Sequence, residues 1–337
     1  MKTILVTGAS GYIGSHTITA LYEAGYDVVA IDNLCNSSET VTDRLRKIVG
    51  FNFPFYEIDV RDSSSVRSVI TKHKIDAAIH FAGLKSVSES VLQPLKYYDN
   101  NVAGTIAFLQ VLYSYGVKRL VFSSSATVYG DFKDVLISET APLQSAHSYG
   151  MSKIVVEKIL GDISNTGEKW NIGILRYFNP IGAHKSGLIG DNPKGIPSNL
   201  IPCVARVASG QHGKLLIFGN DWSTPDGTAI RDYIHVMDVA RGHILALNYL
   251  FSNDSGFTVN LGTGRGYSVL EVVKTFERVN NCYVPYEFTS RRNGDVAICC
   301  ADATLAKKLF GWESSIDLDT MCRDVWRWQT NVINMEG

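Results

Sequence analysis

The chain has 337 residues, 45% of them hydrophobic and 19% charged, with a formal net charge of −1 and a pI near 6.7. These values fit a soluble globular protein of two lobes, or one large α/β domain with a cap. They exclude a chain built to neutralise a phosphate backbone, and no apolar run is long enough for a membrane span.

Thr3-Ile4-Leu5-Val6-Thr7 reads as a short buried parallel strand entered directly from Met1, with no signal peptide ahead of it. Gly8, Gly11 and Gly14 follow in a G-x-x-G-x-x-G turn, then helix-like sequence from Tyr12 to Ala24, stopped by Gly25. Asp27 to Ile31 is the second strand, with Asp32 at its end, 18 residues after Gly14. Glycines admit a tight turn and close backbone approach, a helix N-terminus attracts a pyrophosphate, and the acid at Asp32 suits a ribose 2′-hydroxyl. No Arg or Lys follows in Asn33-Leu34-Cys35-Asn36, so NAD is expected over NADP.

The alternation continues. Phe53 to Ile58 is strand-like and ends at Asp59-Val60; Ser63 to His73 is helical; Asp76 to Phe81 is a strand running into Ala82-Gly83-Leu84-Lys85. One long helix is predicted from Pro94 to Tyr115, then a strand from Arg119 to Ser123. Repeated βα units predict a doubly wound parallel sheet, Rossmann-like, with ligand beyond the strand C-termini. The glycine turn, Asp32, Asp59, Phe81-Ala82-Gly83 and Ser123-Ser124-Ser125 all fall there.

Two tyrosines have a lysine four residues on: Tyr149 with Lys153, and Tyr129 with Lys133. On a helix that spacing sets the two side chains on one face. A nearby ammonium lowers a phenol's pKa and makes it a usable base. Gly130 and Asp131 break a helix after Tyr129, whereas Tyr149 opens a periodic run through Ile154, Val155, Ile159 and Leu160. Tyr149 and Lys153 are therefore the expected acid/base pair, and Tyr129 a packing or pocket-wall residue. Ser125, just past the strand, is the expected hydroxyl beside the reacting group.

Asn171 to Tyr177 is a strand entering Phe178-Asn179-Pro180; a Gly-, Pro- and Asn-rich loop to Pro197 then leaves the nucleotide lobe and is expected to build a lid. Asp232 to His235 and a helix from Met237 to Leu250 are expected to return to the main lobe, followed by a strand from Phe257 to Leu261. The expected division is a cofactor domain over 1–180 and 232–262 and a smaller substrate lobe over 181–231 and 263–337. Asn179 and Asn199 suit polar substrate contacts. Arg231 and Arg292 suit a diphosphate, since a guanidinium fork matches phosphate oxygens, while Arg291 reads equally well as a surface ion pair. Trp326 and Trp328 read as packing for a terminal helix, and His80 and His235 as core residues. No cluster resembles a metal site. The six cysteines (35, 203, 282, 299, 300 and 322) show no C-x-x-C, which predicts a reduced, cytoplasmic protein.

Several ordered motifs carry a resemblance: Thr7-Gly8-Ala9-Ser10-Gly11-Tyr12-Ile13-Gly14, His80-Phe81-Ala82-Gly83-Leu84-Lys85, Tyr97-Tyr98-Asp99-Asn100-Asn101, Ser123-Ser124-Ser125-Ala126-Thr127-Val128-Tyr129-Gly130, Leu175-Arg176-Tyr177-Phe178-Asn179-Pro180, Arg231-Asp232-Tyr233-Ile234-His235 and Arg291-Arg292-Asn293-Gly294-Asp295. Over essentially its whole length the chain resembles the extended short-chain dehydrogenase/reductase superfamily, and within it the UDP-galactose (UDP-glucose) 4-epimerases. The resemblance implies 4-epimerisation through an NAD-held 4-keto sugar. Tyr149 would move the 4-hydroxyl proton, Lys153 would bind the nicotinamide ribose and lower the Tyr149 pKa, and Ser125 would bind the reacting oxygen. It extends the cofactor contacts to Tyr12, Ile13, Asn33, Val60, Lys85, Asn100, Ser123, Ser124, Tyr177 and Phe178. Around the uridine diphosphate sugar it implies Lys85, Phe178, Leu200, Phe218 and Asp295, with homodimerisation through helices near 94–115 and 149–165. Sugar-nucleotide dehydratases of the superfamily carry an Asp–Glu pair after the strand-end hydroxyl; here Ala126 and Thr127 stand there, so dehydration is not expected. Members restricted to glucose and galactose place a tyrosine where Cys299 stands. A small side chain there leaves room for an N-acetyl group, so UDP-GlcNAc/UDP-GalNAc interconversion is expected too. The competing readings are an NAD-dependent oxidoreductase that releases a keto sugar, and a non-catalytic NAD-binding homologue.

Overall fold

A computed structural model describes residues 1–131, 136–195, 197, 199–292 and 294–336. The chain runs β1 (Thr3–Thr7), α1 (Tyr12–Glu23), β2 (Asp27–Asp32), α2 (Glu39–Val49), β3 (Phe55–Glu57), α3 (Ser63–Lys72), β4 (Ala77–His80), α4 (Val87–Leu92) and α5 (Pro94–Tyr97). A π-helical turn, Tyr98–Ala103, leads into α6 (Gly104–Ser114), then β5 (Arg119–Ser125), α7 (Ser148–Ser164), β6 (Asn171–Tyr177) and β7 (Asn179–Ile181). The second half comprises α8 (Leu200–Ala208), β8 (Leu215–Phe218), β9 (Ile230–His235), α9 (Val236–Ser252), β10 (Phe257–Leu261), β11 (Gly266–Ser268), α10 (Val269–Asn280), β12 (Tyr286–Thr289), β13 (Ile298–Cys299), α11 (Thr304–Phe310) and α12 (Leu318–Glu336).

Seven parallel strands form the main sheet in the order β10-β6-β5-β4-β1-β2-β3. Strand alternation divides its core in two. Ile4 and Val6 of β1 face a layer with Ile18 and Leu21 of α1 and Val239 and Leu247 of α9. Leu5 points the other way, with Val66 of α3, Phe108 of α6 and Val156 and Leu160 of α7. Both faces are covered, which is why these strands read as unbroken apolar runs. Each fully buried large side chain contributes roughly 1.5–3 kcal/mol. Helix starts are fixed locally: Asp62 accepts from the amides of Ser64 and Ser65 ahead of α3, and Ser268 and Glu271 form a capping box on α10.

The second lobe has its own core, in which Val204 of α8, Phe276 of α10 and Met321 of α12 pack together. It contains a small sheet in which β9 pairs with β7, β11 and β13, and a separate pair, β8 with β12. Here the sequence expectation needs correction. The strand at Asp232–His235 does not rejoin the main sheet; it lies opposite Asn179–Ile181 in the small one, and only α9 and β10 return. The predicted single helix over 94–115 is a helical run interrupted by the π turn.

Candidate active site

The glycine turn joins β1 to α1 at the C-terminal edge of the sheet. Gly8 has φ +65°, and a Cβ there would lie 2.7 Å from the Ala82 nitrogen. Only a residue without a side chain lets the turn pack on the Phe81–Ala82 backbone leaving β4. Gly11 is the N-cap of α1, makes no side-chain cap bond, and no acidic residue occupies the first turn through Tyr12, Ile13 and Gly14. The positive end of this helix is therefore left for an anion. Asp32, at the end of β2, accepts from the amides of Ser10 (2.9 Å) and Leu34 (2.8 Å) and from the Ser37 hydroxyl. Burial raises its carboxyl, and those bonds oppose the rise. Asn33 donates to Asp59 at 2.8 Å, and Arg61 holds the Asp59 carboxyl well below the usual range. Val60 is buried beside them. An uncapped helix start, a close-packed glycine turn and an acid at the next strand end fit a dinucleotide: the pyrophosphate at Gly11–Ile13 and the adenosine ribose at Asp32.

Past β4, Gly83 closes on the opposite wall; a Cβ there would lie 3.3 Å from Asn101 Oδ1 and 3.7 Å from Lys153 Nζ. Asn101 clamps Leu84 from both sides, accepting from its amide (2.7 Å) and donating to its carbonyl (3.0 Å), and also donates to Ser152. Asn100, expected as a cofactor contact, lies half-buried next to it in the π turn. Nothing in the sequence signals that turn or the Asn101 clamp. Lys85 reaches Asp191 at 3.3 Å and sits 5.9 Å from the Tyr12 ring, while the Tyr12 hydroxyl donates to the Gly182 carbonyl at 2.7 Å.

Ser125 ends β5 and caps a single turn, Ala126–Tyr129, accepting from the Thr127 amide (3.2 Å) and the Thr127 hydroxyl (3.0 Å). Its hydroxyl also acts on the Tyr149 phenol, favouring the phenolate. Tyr149 stands in the first turn of α7, whose N-cap is His147; the imidazole accepts from the Gly150 amide at 3.1 Å and stacks 6.1 Å from the Tyr149 ring. Lys153, one turn on, donates to the Ser123 carbonyl at 2.8 Å and lies 4.8 Å from the Phe122 ring. Burial pulls its ammonium down to about 8, opposed by Glu157. Burial raises the Tyr149 phenol, and the Ser125 hydroxyl opposes the rise.

The rival Tyr129 is fully buried, accepts from Arg176 at 2.9 Å and donates to Asn260 at 2.6 Å. Lys133 lies outside the described residues. Other side chains of the predicted set are also committed to the interior. The Ser124 hydroxyl donates to Glu157, and the Tyr177 hydroxyl meets His243 Nε2 at 2.6 Å and hydrogen-bonds Ser123. His80 is a core residue between Thr7 and Thr105.

On the second lobe, Cys299 sits opposite Arg231 in the β9–β13 register and packs in a cluster with Ala126, Ile154 and Phe178. Burial pushes its thiol up to about 11. Arg231 lies 3.7 Å from Asp295, whose amide donates to the Arg292 carbonyl. Arg292 stacks over Phe218 at 3.8 Å. Arg291 pairs with Asp221 and stacks on Trp222. Asn179 begins β7, and Asn199 is the exposed N-cap of α8, a helix that sequence reading missed, with Leu200 partly buried on the small core. Among the described residues no group of His, Cys, Asp and Glu could hold a metal ion, and no helix is long and apolar enough to cross a membrane.

A family model described as NAD dependent epimerase/dehydratase matches residues 4–262. A UDP-glucose 4-epimerase of Bacillus subtilis is 51% identical over 331 residues, 98% of each chain. The crystal structure of a UDP-glucose 4-epimerase from Stenotrophomonas maltophila with bound NAD and formylated UDP-arabinopyranose superposes with a TM-score of 0.98 at 47% identity, covering 99% of this chain and 100% of that one. One from Bifidobacterium longum, in complex with NAD+ and UDP, gives 0.95 at 46% identity and covers 99% of each. The chain belongs to the NAD dependent epimerase/dehydratase family. Its cofactor is NAD. Its activity is that of an isomerase, an NAD-dependent UDP-sugar 4-epimerase.

Proposed function

We propose that the enzyme interconverts UDP-glucose and UDP-galactose with Tyr149 as acid and base, Ser125 as its hydrogen-bond partner and Lys153 as the buried cation beside them. The observation that carries this reading is the placement of Tyr149 in the first turn of α7, one helical turn before the buried Lys153 that donates to the Ser123 carbonyl, with the Ser125 hydroxyl favouring the phenolate. Bound NAD supplies the acceptor that takes the C4 hydride and returns it. Tyr149 removes the 4-hydroxyl proton and, once the 4-keto sugar has turned so that the hydride would return to the opposite face of C4, gives the proton back to the C4 oxygen. Ser125 binds the reacting oxygen and favours the phenolate that burial opposes. The proton and hydride each return, so the reaction is redox-neutral. Residues 1–180 and 232–262 would hold the cofactor, and 181–231 with 263–337 the uridine diphosphate sugar through Asn179, Asn199, Arg231, Arg292 and Asp295.

We also propose that the pocket accepts UDP-GlcNAc and UDP-GalNAc. The support is Cys299, a small side chain packed on the same apolar cluster as Ala126, the residue after Ser125, where a tyrosine ring would take up more of the pocket. A homodimer through the helices at 94–114 and 148–164 is supported by Val91, Leu92 and Leu95, which are 62%, 81% and 81% exposed beside them. A cytoplasmic location is supported by six unpaired cysteines.

The test of the acid/base assignment is Tyr149→Phe. Epimerisation of UDP-galactose should fall by about 10²–10⁴-fold while bound NAD per subunit is unchanged. Full activity in that variant would remove Tyr149 from the chemistry.

A further inference from the structure

Beneath Ser125 lies a buried ion pair that the chemistry above does not use. Glu157 of α7 and Arg176 of β6 are 7% and 5% exposed, with Arg176 NH2 2.6 Å from Glu157 Oε2 and Nε 3.0 Å from Oε1. The same carboxylate accepts from the Ser124 hydroxyl at 2.5 Å. Ser124 and Arg176 are register neighbours across β5 and β6. Arg176 continues to the Tyr129 hydroxyl and the Glu139 carbonyl, so its guanidinium is held from both ends.

The spacing matters. Tyr149, Lys153 and Glu157 recur every four residues on one face of α7, about 6 Å apart along its axis. Ser125 and Ser123 are separated by about 6.6 Å along β5. Lys153 meets the Ser123 carbonyl, and Gly150, next to Tyr149, closes on Thr127 just past Ser125, where a Cβ would lie 3.0 Å from the carbonyl oxygen, so the two repeats match only at one height of the helix on the strand. Glu157 is the third stitch, tied to the side chain between those two. A buried ion pair is weak evidence for stability, since apolar residues of similar volume often replace one without loss. What apolar residues cannot supply is a directional tie between α7, β5 and β6.

We propose that Glu157 is a positioning residue for epimerisation: by bridging Ser124 and Arg176 it sets the height of α7 along β5, and so brings Tyr149 to Ser125 and Lys153 to the carbonyl of Ser123. This rests on the assignment of Tyr149 as the acid and base. Slippage of α7 by a fraction of a turn would leave both lobes folded and the substrate bound, but would separate the phenol from the reacting hydroxyl.

The carboxylate also faces Lys153 electrostatically and favours its charged form. Tyr149 lies one turn earlier on α7, Arg176 on β6 pairs with the same carboxylate, and His80 on β4 is within electrostatic reach of that ammonium and held neutral by burial with a value of about 3. Asn101, from the π turn, is uncharged. Removing the Glu157 charge leaves Arg176 unopposed, and Lys153 then loses its proton at lower pH.

The test compares Glu157→Gln with Tyr149→Phe and the unaltered enzyme, measuring kcat, KM and the pH profile of kcat on UDP-galactose. Glu157→Gln should lower kcat by about tenfold or more, with KM little changed and the alkaline limb displaced to lower pH. A loss of thermal stability alone, with kcat and the pH profile as in the unaltered enzyme, would overturn the proposal. If Tyr149→Phe is inactive while Glu157→Gln is unaffected, only the role of Glu157 falls; if Tyr149→Phe is active, the acid/base assignment falls. Should Glu157→Gln fail to accumulate, Ser124→Ala decides. It removes one stitch and leaves the ion pair, and should lower kcat with the alkaline limb unmoved; undiminished kcat would overturn the proposal.

Discussion

Gly8→Ala separates two costs that the glycine turn combines. The residue has φ +65°, and an added Cβ would lie 2.7 Å from the Ala82 nitrogen and 2.9 Å from the Phe81 carbonyl carbon. The left-handed backbone costs an L-residue about 1–2 kcal/mol. The contact is with backbone, which cannot rotate away, and forcing a methyl into such a gap adds about 1–3 kcal/mol. Gly25 is the control: φ is +80°, but a Cβ there meets nothing within 4 Å. At about 2 °C per kcal/mol for a chain of this size, Gly25→Ala should lower Tm by about 2–4 °C and Gly8→Ala by about 4–10 °C. The clash also pushes Phe81–Ala82 away from the turn, so Gly8→Ala should release less NAD per subunit on denaturation, and Gly25→Ala the full amount. Thermal melts with and without added NAD, and cofactor released per subunit, measure both. Equal Tm losses and equal NAD content in the two variants would refute the claim that the turn is set by its approach to β4.

Lys153→Met probes the buried ammonium. A lysine pulled from 10.5 down to about 8 binds fewer protons folded than unfolded between those values, so its cost is fully present below pH 8 and shrinks as pH rises toward 10.5. The Tm of Lys153→Met relative to the unaltered protein should therefore be most favourable near pH 7 and decline toward pH 10; a pH-independent difference would contradict the burial argument. Cys299→Tyr should lower turnover of UDP-GalNAc by about 10–200-fold relative to UDP-galactose, read by product analysis of the two sugars side by side. Equal losses on both would exclude a size-based role for Cys299.

The main sheet was readable because its strands are buried on both faces and its turns carry glycine or acid at each strand end, as at Gly8 and Asp32. The small sheet was not. Its strand β13 is two residues long, and β9 pairs with segments about 50 and 70 residues away in the chain, a separation no local pattern encodes. The site followed the same division. Tyr149 and Lys153 declare themselves by helical spacing, and Tyr129 was set aside by Gly130 and Asp131. Glu157 had no such signal, since an acid on a helix ordinarily faces water, and only the register of Ser124 with Arg176 gives it a buried partner. Spacing likewise places Lys153 one turn from Tyr149 but carries no sign that its ammonium also ties α7 to the Ser123 carbonyl.

The order of strands in the main sheet also constrains how the chain can be made. Strand β6 is finished at Tyr177, but its outer neighbour β10 begins only at Phe257, after β7, α8, β8, β9 and α9. During synthesis, at about 5–20 residues per second, a six-stranded half-molecule therefore waits several seconds with a parallel edge uncovered. Such an edge is a template for pairing with another chain. The apolar face of α9 is made before β10 and packs on β6, covering one face of that strand while its edge is still open.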